Sequence, residues 1–433
     1  MSGDERPYRE LSNRAIFWAA VVLIVVGVGL AVVLLVVFGG GEHSAQLDAI
    51  KTAGTIVVGT GGAAALWLAA RRQRTSEIAL NQKHADQQAA ERAHALQERV
   101  AAASEADAES RRITESYGRA VDQVGSDKAP VRLGGLYALR RLAQDNPGQR
   151  QTIVDVICAY LRMPAVDGED EVPAQELQVR MTAQRILARH LRDGAEFWPG
   201  IDLDLTGAVL TRFSFTGCRV RAADFTDARF DGAADFSDAE FGEPAIFRSV
   251  RFQGYADFDG VTFSSLVKFT GADFADEVSF RKARFHGTAG FVWATFGGYA
   301  YFRSAVFADV ASFGTSVFAG AGFGEAEFQD AAEFGATRFT GGAGFDGTRF
   351  GALAWFADAR FLAGAHLAGA EFDDEHPFNC LREKSGALVP QRSWVRLDTG
   401  KDGRYWPTGW AVVPGAVSPD GESGGEWGIL TPS

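Results

Sequence analysis

From Leu205 to Phe372 the apolar positions keep a count. The opening steps are five residues long, through Leu205, Leu210, Phe215, Val220 and Phe225. Steps of five and six then alternate, through Phe230, Phe236, Phe241, Phe247, Phe252, Phe258, Phe263, Phe269, Phe274, Phe280, Phe285, Phe291, Phe296, Phe302, Phe307, Phe313 and Phe318. After a return to five through Phe323 and Phe328, the alternation resumes to Phe361, and Leu367 and Phe372 close the series. Two residues before nearly every member stands something small, such as Ala223, Ala234, Ala256 and Ala272, or Val250 and Val261. The positions between carry Asp, Arg, Glu, Thr and Gly. A helix does not accommodate this pattern, because a step of five turns the chain by about 500° and scatters the Phe over many faces. The glycines oppose helix as well. An antiparallel sheet would need hairpin turns and longer strict alternation. A β-solenoid with faces about five residues long fits. A Phe and the residue two before it point to one side of an extended segment, and successive coils would stack at about 4.8 Å.

Upstream the pattern is different. Residues 15–38 are uncharged and almost wholly apolar, long enough for a bilayer core of about 30 Å, and 52–70 form a second, Gly- and Thr-rich apolar stretch. They predict two transmembrane helices joined by a short extracytoplasmic loop, 39–51. Arg6, Arg9 and Arg14 before the first and Arg71, Arg72 and Arg74 after the second place both termini, including residues 1–14, in the cytoplasm. The expected location is therefore the inner cell membrane, multi-pass, with the lipid bilayer as a partner. Residues 71–112 lack Gly and Pro and alternate charges, which predicts a solvated helical stalk, with a coiled coil as one use of it. Residues 113–200 read as a small helical domain. Its helices end at Gly125-Ser126, at Asn146-Pro147-Gly148 and at Met163-Pro164, and a last one covers about 174–192 after an acidic loop, Asp167 to Glu171. Beyond 372 the count is lost, and 373–433 read as a C-terminal cap with short strands and a tail.

Ala223-Asp224-Phe225, Ala234-Asp235-Phe236, Ala256-Asp257-Phe258 and Ala272-Asp273-Phe274 resemble the repeat of the pentapeptide-repeat family, Ala-(Asp/Asn)-(Leu/Phe)-x-x. The resemblance covers 201–372 and implies a right-handed quadrilateral β-helix with four faces per coil. The sixth residue at alternate steps departs from the motif and leaves the shape of the corners open. The blocks Arg119 to Lys128 and Val131 to Ala143 resemble a segment that precedes the repeats in bacterial membrane-anchored members of that family. It carries no activity to transfer, and its polar Gln123, Ser126 and Asp127 read as a turn and a helix N-cap. The expected fold class is thus mixed: two transmembrane helices, a stalk, a small helical domain, and a pentapeptide-repeat solenoid with a C-terminal cap. The structural ladder would run through Phe225, Phe236, Phe247, Phe258, Phe269, Phe280, Phe285, Phe291 and Phe302.

Composition sharpens this reading. Of 433 residues 33 are Phe and 50 are Gly, and the formal charge is −12. The acidity disfavours nucleic acid as a partner, since phosphate binding needs basic patches. Cys158, Cys218 and Cys380 lack zinc or redox spacing, and no histidine stands at metal-ligand spacing. No phosphate loop, nucleotide fingerprint or nucleophile elbow occurs. The expectation is no enzyme, no catalytic residue, no metal and no cofactor. Trp293, Tyr299, Tyr301 and Trp355 lie off the inward count and are the candidate surface contacts, for an unidentified protein partner or a second copy in a homo-oligomer. The first functional reading is a membrane-tethered cytoplasmic scaffold built on the solenoid. The alternative follows from the resemblance, since some members of that family bind DNA gyrase by mimicking DNA. Residues 224–243 are acidic, although Arg248, Arg251, Lys268 and Arg281 interrupt any longer acidic stripe.

Overall fold

A computed structural model of the chain describes residues 13–38, 43–164, 173–372, 381–382, 388–389, 393–396, 410–416 and 426–432. The acidic loop at 167–171 and Cys380 lie outside the described residues. The chain divides into two compact units, Met1–Glu109 and Ser110–Ser433.

The first unit is helical. Helix α1 spans Asn13–Phe38 and α2 spans His43–Val124, its last residues belonging to the second unit. The expectation of two transmembrane helices is corrected here. Among the described residues no helix is long and apolar enough to cross a membrane. A span needs about 20 consecutive apolar residues. Residues 52–70 are not even an element of their own. They form an inner part of α2, which runs on through the charged 71–112 without a break, and most of the loop expected at 39–51 is helix from His43 onward. The multi-pass inner-membrane location, with both termini cytoplasmic, loses its basis with the spans.

The second unit opens with the helical domain. Helix α2 stops where Gly125 leaves the helix. Helices α3 (Ala129–Asp145), α4 (Arg150–Arg162) and α5 (Ala174–Leu191) follow. Lys128 is the N-cap of α3 but lends it no side-chain bond; Pro130 in the first turn, which needs no N–H there, starts the helix instead. Ser126 Oγ accepts the Lys128 N–H at 3.2 Å, so the polar triad at 123–127 shapes a turn. Leu136, Leu139, Ile153, Val154, Ile157, Val179 and Leu187 form the helical core. One polar cluster is buried among them. Glu176 accepts from Arg132 Nη2 at 2.8 Å and from the Tyr160 hydroxyl at 2.8 Å, while Arg180, 4 % exposed, donates to the Met163 carbonyl at 3.0 Å. Each charge has a partner, as burial requires.

The solenoid has eight coils and four walls, because two of its sheets are eight-stranded and the third carries the two remaining walls. All pairings between coils are parallel. The usual repeat is 22 residues, with Phe263 opposite Phe285 and Val278 opposite Ala300. Four ladders result. In chain order the first wall carries Phe225, Phe247, Phe269 and Phe291; the second Phe230, Phe252, Phe274 and Phe296; the third Phe236, Phe258, Phe280 and Phe302; the fourth Phe241, Phe263, Phe285 and Phe307. All of these rings are buried. Within a ladder neighbours stack almost parallel, as Phe236 on Phe258 at 4.7 Å and 2°. The first and third ladders meet edge to face across the core, as Phe247 with Phe258 at 5.7 Å and 87°. Both arrangements suit the ring quadrupole and add about 0.5–1.5 kcal/mol per pair to area burial.

The five–six beat comes from two kinds of corner. After the first and third walls the chain makes a four-residue turn. The Ala228 N–H donates to the Phe225 carbonyl at 3.0 Å, and Asp227, second after the Phe, has φ 58°. This is the turn that needs a left-handed residue at its third position, and it yields a step of five. The corners after the second and fourth walls take one residue more and lack that bond, which yields six. Their second residue comes close to the coil before it. A Cβ added at Gly298 would lie 2.4 Å from the Asp276 carbonyl carbon. In the first coil and at Phe318 to Phe323 the wide corner drops its extra residue, and the strands register the change as a shift at Thr211/Phe213 and at Phe296/Tyr299.

The barrel is capped at its start, and further strands are added to one wall at its far end. At the start, α5 packs on the first coil, Trp198 is buried against His190 at 4.0 Å, and its Nε1 donates to Gln144 Oε1 at 3.0 Å. At the far end strand Ser393–Arg396 continues the second wall, with Val395 opposite Phe361. Two antiparallel strands, Trp427–Pro432 and Trp410–Ala416, then cover that strand's free side.

Candidate interaction surface

The outward side chain of each wall stands one residue before the ladder Phe, so strand register decides which surface residues are neighbours. The second wall presents Arg229, Arg251, Asp273, Thr295, Val317, Arg338 and Arg360 in one file. The third presents Asp235, Asp257, Ser279, Tyr301, Gly322, Gly344 and His366. The acidic run at 224–243 is about one coil long and is therefore wrapped round the perimeter. Asp224 lies on the first wall, Asp235 on the third and Glu240 on the fourth. Two of its acids are neutralised locally, Glu240 by Arg219 at 2.7 Å and Asp231 by Arg229 at 2.9 Å. On the third wall Asp257 is held above the usual carboxylate range, chiefly by partial burial and then by the nearby Asp259 and Asp235, against the Asp259 N–H that it accepts at 2.9 Å.

The four aromatic candidates separate into two groups. Tyr299 and Tyr301 lie together at the third wall, with ring centroids 4.7 Å apart. Arg281 covers the Tyr301 ring at 4.0 Å, a cation–π contact. Tyr299 lies over Gly320 and Gly322 of the next coil, where an added Cβ would meet its ring or hydroxyl at 2.7 and 2.9 Å. These tyrosines are wall packing that leaves one edge in water. Trp355, on the first wall, packs against Gly335 and is partly buried.

Trp293 differs. It is 65 % exposed at the corner after the first wall, with φ 59°. The same corner position in the other coils holds Asp227, Ser249, Thr315 and Asp358, which are short and polar, or the small Gly207, Gly271 and Ala336. A bulky residue in the left-handed region costs about 1–3 kcal/mol, and exposing its indole returns nothing to the isolated fold. The position was open to recognition from sequence, by comparing the second residue after each ladder Phe; what the sequence lacks is any sign that this residue is left-handed and exposed.

Among the described residues no three His, Cys, Asp or Glu side chains are placed to share a metal ion. Cys158 and Cys218 are free and buried, and burial pushes each thiol up to about 12, so neither is a nucleophile at neutral pH. One sizeable cavity was not foreseen in the sequence. It lies between α5, the loop after it and the first coil, and Arg185, Arg192 and Arg212 are among the residues that line it.

Residues 247–293 and 323–371 match the family model described as Pentapeptide repeats (9 copies). Both stretches lie wholly within the solenoid. No curated protein and no solved structure matches the chain.

Proposed function

We propose that this chain, a pentapeptide-repeat protein, is a non-catalytic module that binds another protein along the first wall of its solenoid. The observation that carries the reading is Trp293. It combines an exposed indole with a left-handed backbone, a cost that a binding contact would offset. Trp is also the residue most often found at the energetic centre of interfaces. The scaffold suits the task, because a stacked solenoid holds side chains in fixed files and repays little to rearrangement. The reading assigns no chemical step to the module.

The test places a photo-crosslinking phenylalanine at 293, at 227 and at 315, three copies of one corner, in the full chain within its own cells. A discrete adduct from 293 alone, identified by mass spectrometry and lost from competition with excess Trp293→Gly protein only weakly, supports the reading. Equal adduct patterns from all three positions would remove its basis.

A further inference from the structure

The cavity at the N-terminal end of the solenoid carries more cations than anions. It is a cleft open to solvent, of about 600 Å³, between α5, the loop after it and the first coil. Four guanidinium groups line it, from Arg185, Arg189, Arg192 and Arg212, against two carboxylates, Asp193 and Glu196. Both carboxylates are engaged already. Asp193 accepts from Arg219 Nη1 at 2.8 Å. Glu196 accepts from Arg189 Nε at 2.7 Å, with Arg140 at 3.8 Å, and these arginines hold its carboxyl below the usual range.

Three cations are left without an anion. Arg185 has no hydrogen-bond or ion-pair partner among the described residues. Arg192 donates Nε to the Thr216 carbonyl at 2.8 Å and lies beside the Cys218 thiol, neither of which is an anion at neutral pH. Arg212 reaches only the Met181 sulfur, Nη2 to Sδ at 3.8 Å. Its backbone is left-handed, φ 47°, in a corner where the next coil uses Gly232. Arg212 thus repeats on this cavity what Trp293 does on the first wall: a long side chain kept in a strained conformation. A neutral polar group completes the lining, for Gln184 is 6 % exposed and its Oε1 is buried with no partner.

We infer that this cavity binds a small organic phosphate monoester. A phosphate offers two negative charges and three acceptor oxygens, which match unpaired guanidinium groups through paired N–H···O bonds. The volume falls within the range of small-molecule sites and leaves room for an organic portion of nucleotide size. A donor group on that portion would satisfy Gln184 Oε1.

The test is titration calorimetry and thermal melting of the full chain with adenosine monophosphate, inorganic phosphate and adenosine. Saturable binding of the monophosphate with a raised melting temperature is expected, weaker binding of phosphate, and none of adenosine. Arg185→Gln should weaken monophosphate binding at least tenfold without altering the melting temperature of the free protein, since that exposed side chain makes no hydrogen bond or ion pair among the described residues. Arg212→Gly should abolish binding while making the free protein more stable, because glycine relieves the left-handed strain. If neither the monophosphate nor phosphate binds, or if both variants bind as the parent does, the assignment is overturned.

Discussion

At the scale of single residues the ladder Phe is the unit of stability. Phe285 is 1 % exposed and stacks on Phe263 at 5.3 Å and on Phe307 at 4.5 Å. Burying such a ring contributes about 1.5–3 kcal/mol, and a carboxylate in its place would face only rings. Phe285→Asp is therefore expected to unfold the solenoid, read as loss of the thermal transition; an unchanged melt would mean that the inward register is misassigned. The small residue two before each Phe is governed by the same space. Where it is polar it is satisfied by the coil before: Thr337 donates to the Phe313 carbonyl and Thr348 to the Phe323 carbonyl, both at 2.8 Å. Hydroxyls are tolerated inside the barrel because those turn carbonyls have a lone pair to spare.

At the scale of elements the corners and the caps decide behaviour. In the wide corner at Gly298 any Cβ meets the backbone of the preceding coil. Gly298→Ala should cost about 1–3 kcal/mol, measured by urea unfolding. A neutral outcome would show that the corner can open at no cost. The N-terminal cap carries a pH dependence of defined sign. His190 is fully buried, and burial holds its imidazole below the ordinary value, a stronger effect than its bond to the Glu196 carbonyl or the nearness of that carboxylate. The unfolded chain takes up a proton as pH falls through about 6.5, and the folded cap does not until lower pH. Stability present at neutral pH is thus lost progressively on acidification below that value. Hydrogen exchange of α5 amides should quicken between neutral and mildly acidic pH, and His190→Gln should flatten the profile.

At the scale of the molecule the coil is the cooperative unit. A repeat of 22 residues returns every ladder to its own wall. Deleting Phe258 to Ser279, one full coil, should leave a folded protein shorter by about 4.8 Å, with both caps in place. Deleting the five residues Phe258 to Thr262 should abolish the cooperative melt, since every later Phe would fall on a wall whose corner type does not match. Circular dichroism melting of the two variants separates these outcomes. An intact fold after the short deletion would mean that the coils are independent of one another. The acidic stretch 224–243 belongs to this scale too, because one coil distributes it over several walls and no acidic stripe forms.

The spacing of Phe215 to Phe372 by itself determined that the segment is a solenoid, which residues point inward and where it ends. Inward and outward alternation and a repeating core are local consequences of side-chain period, and they are written residue by residue. The helices of 129–191 were legible for the same reason, with Gly, Pro and Asn marking their ends. Apolar content near the N-terminus was legible as well, but it led to two membrane spans that the helices, among the described residues, do not supply. Only the tertiary structure decided the rest. An eleven-residue beat does not say that two beats close one coil; hydrogen bonding between Phe263 and Phe285 strands does. The beat does not say which corner is tight, because the left-handed residue at 227 or 293 is fixed by closure of the turn. Nor does it bring α5 against the first coil, where Arg185 and Arg212, distant along the chain's local patterns, come to line one cavity. Those facts depend on which segments are neighbours in space, and neighbourhood is set by packing the whole core at once.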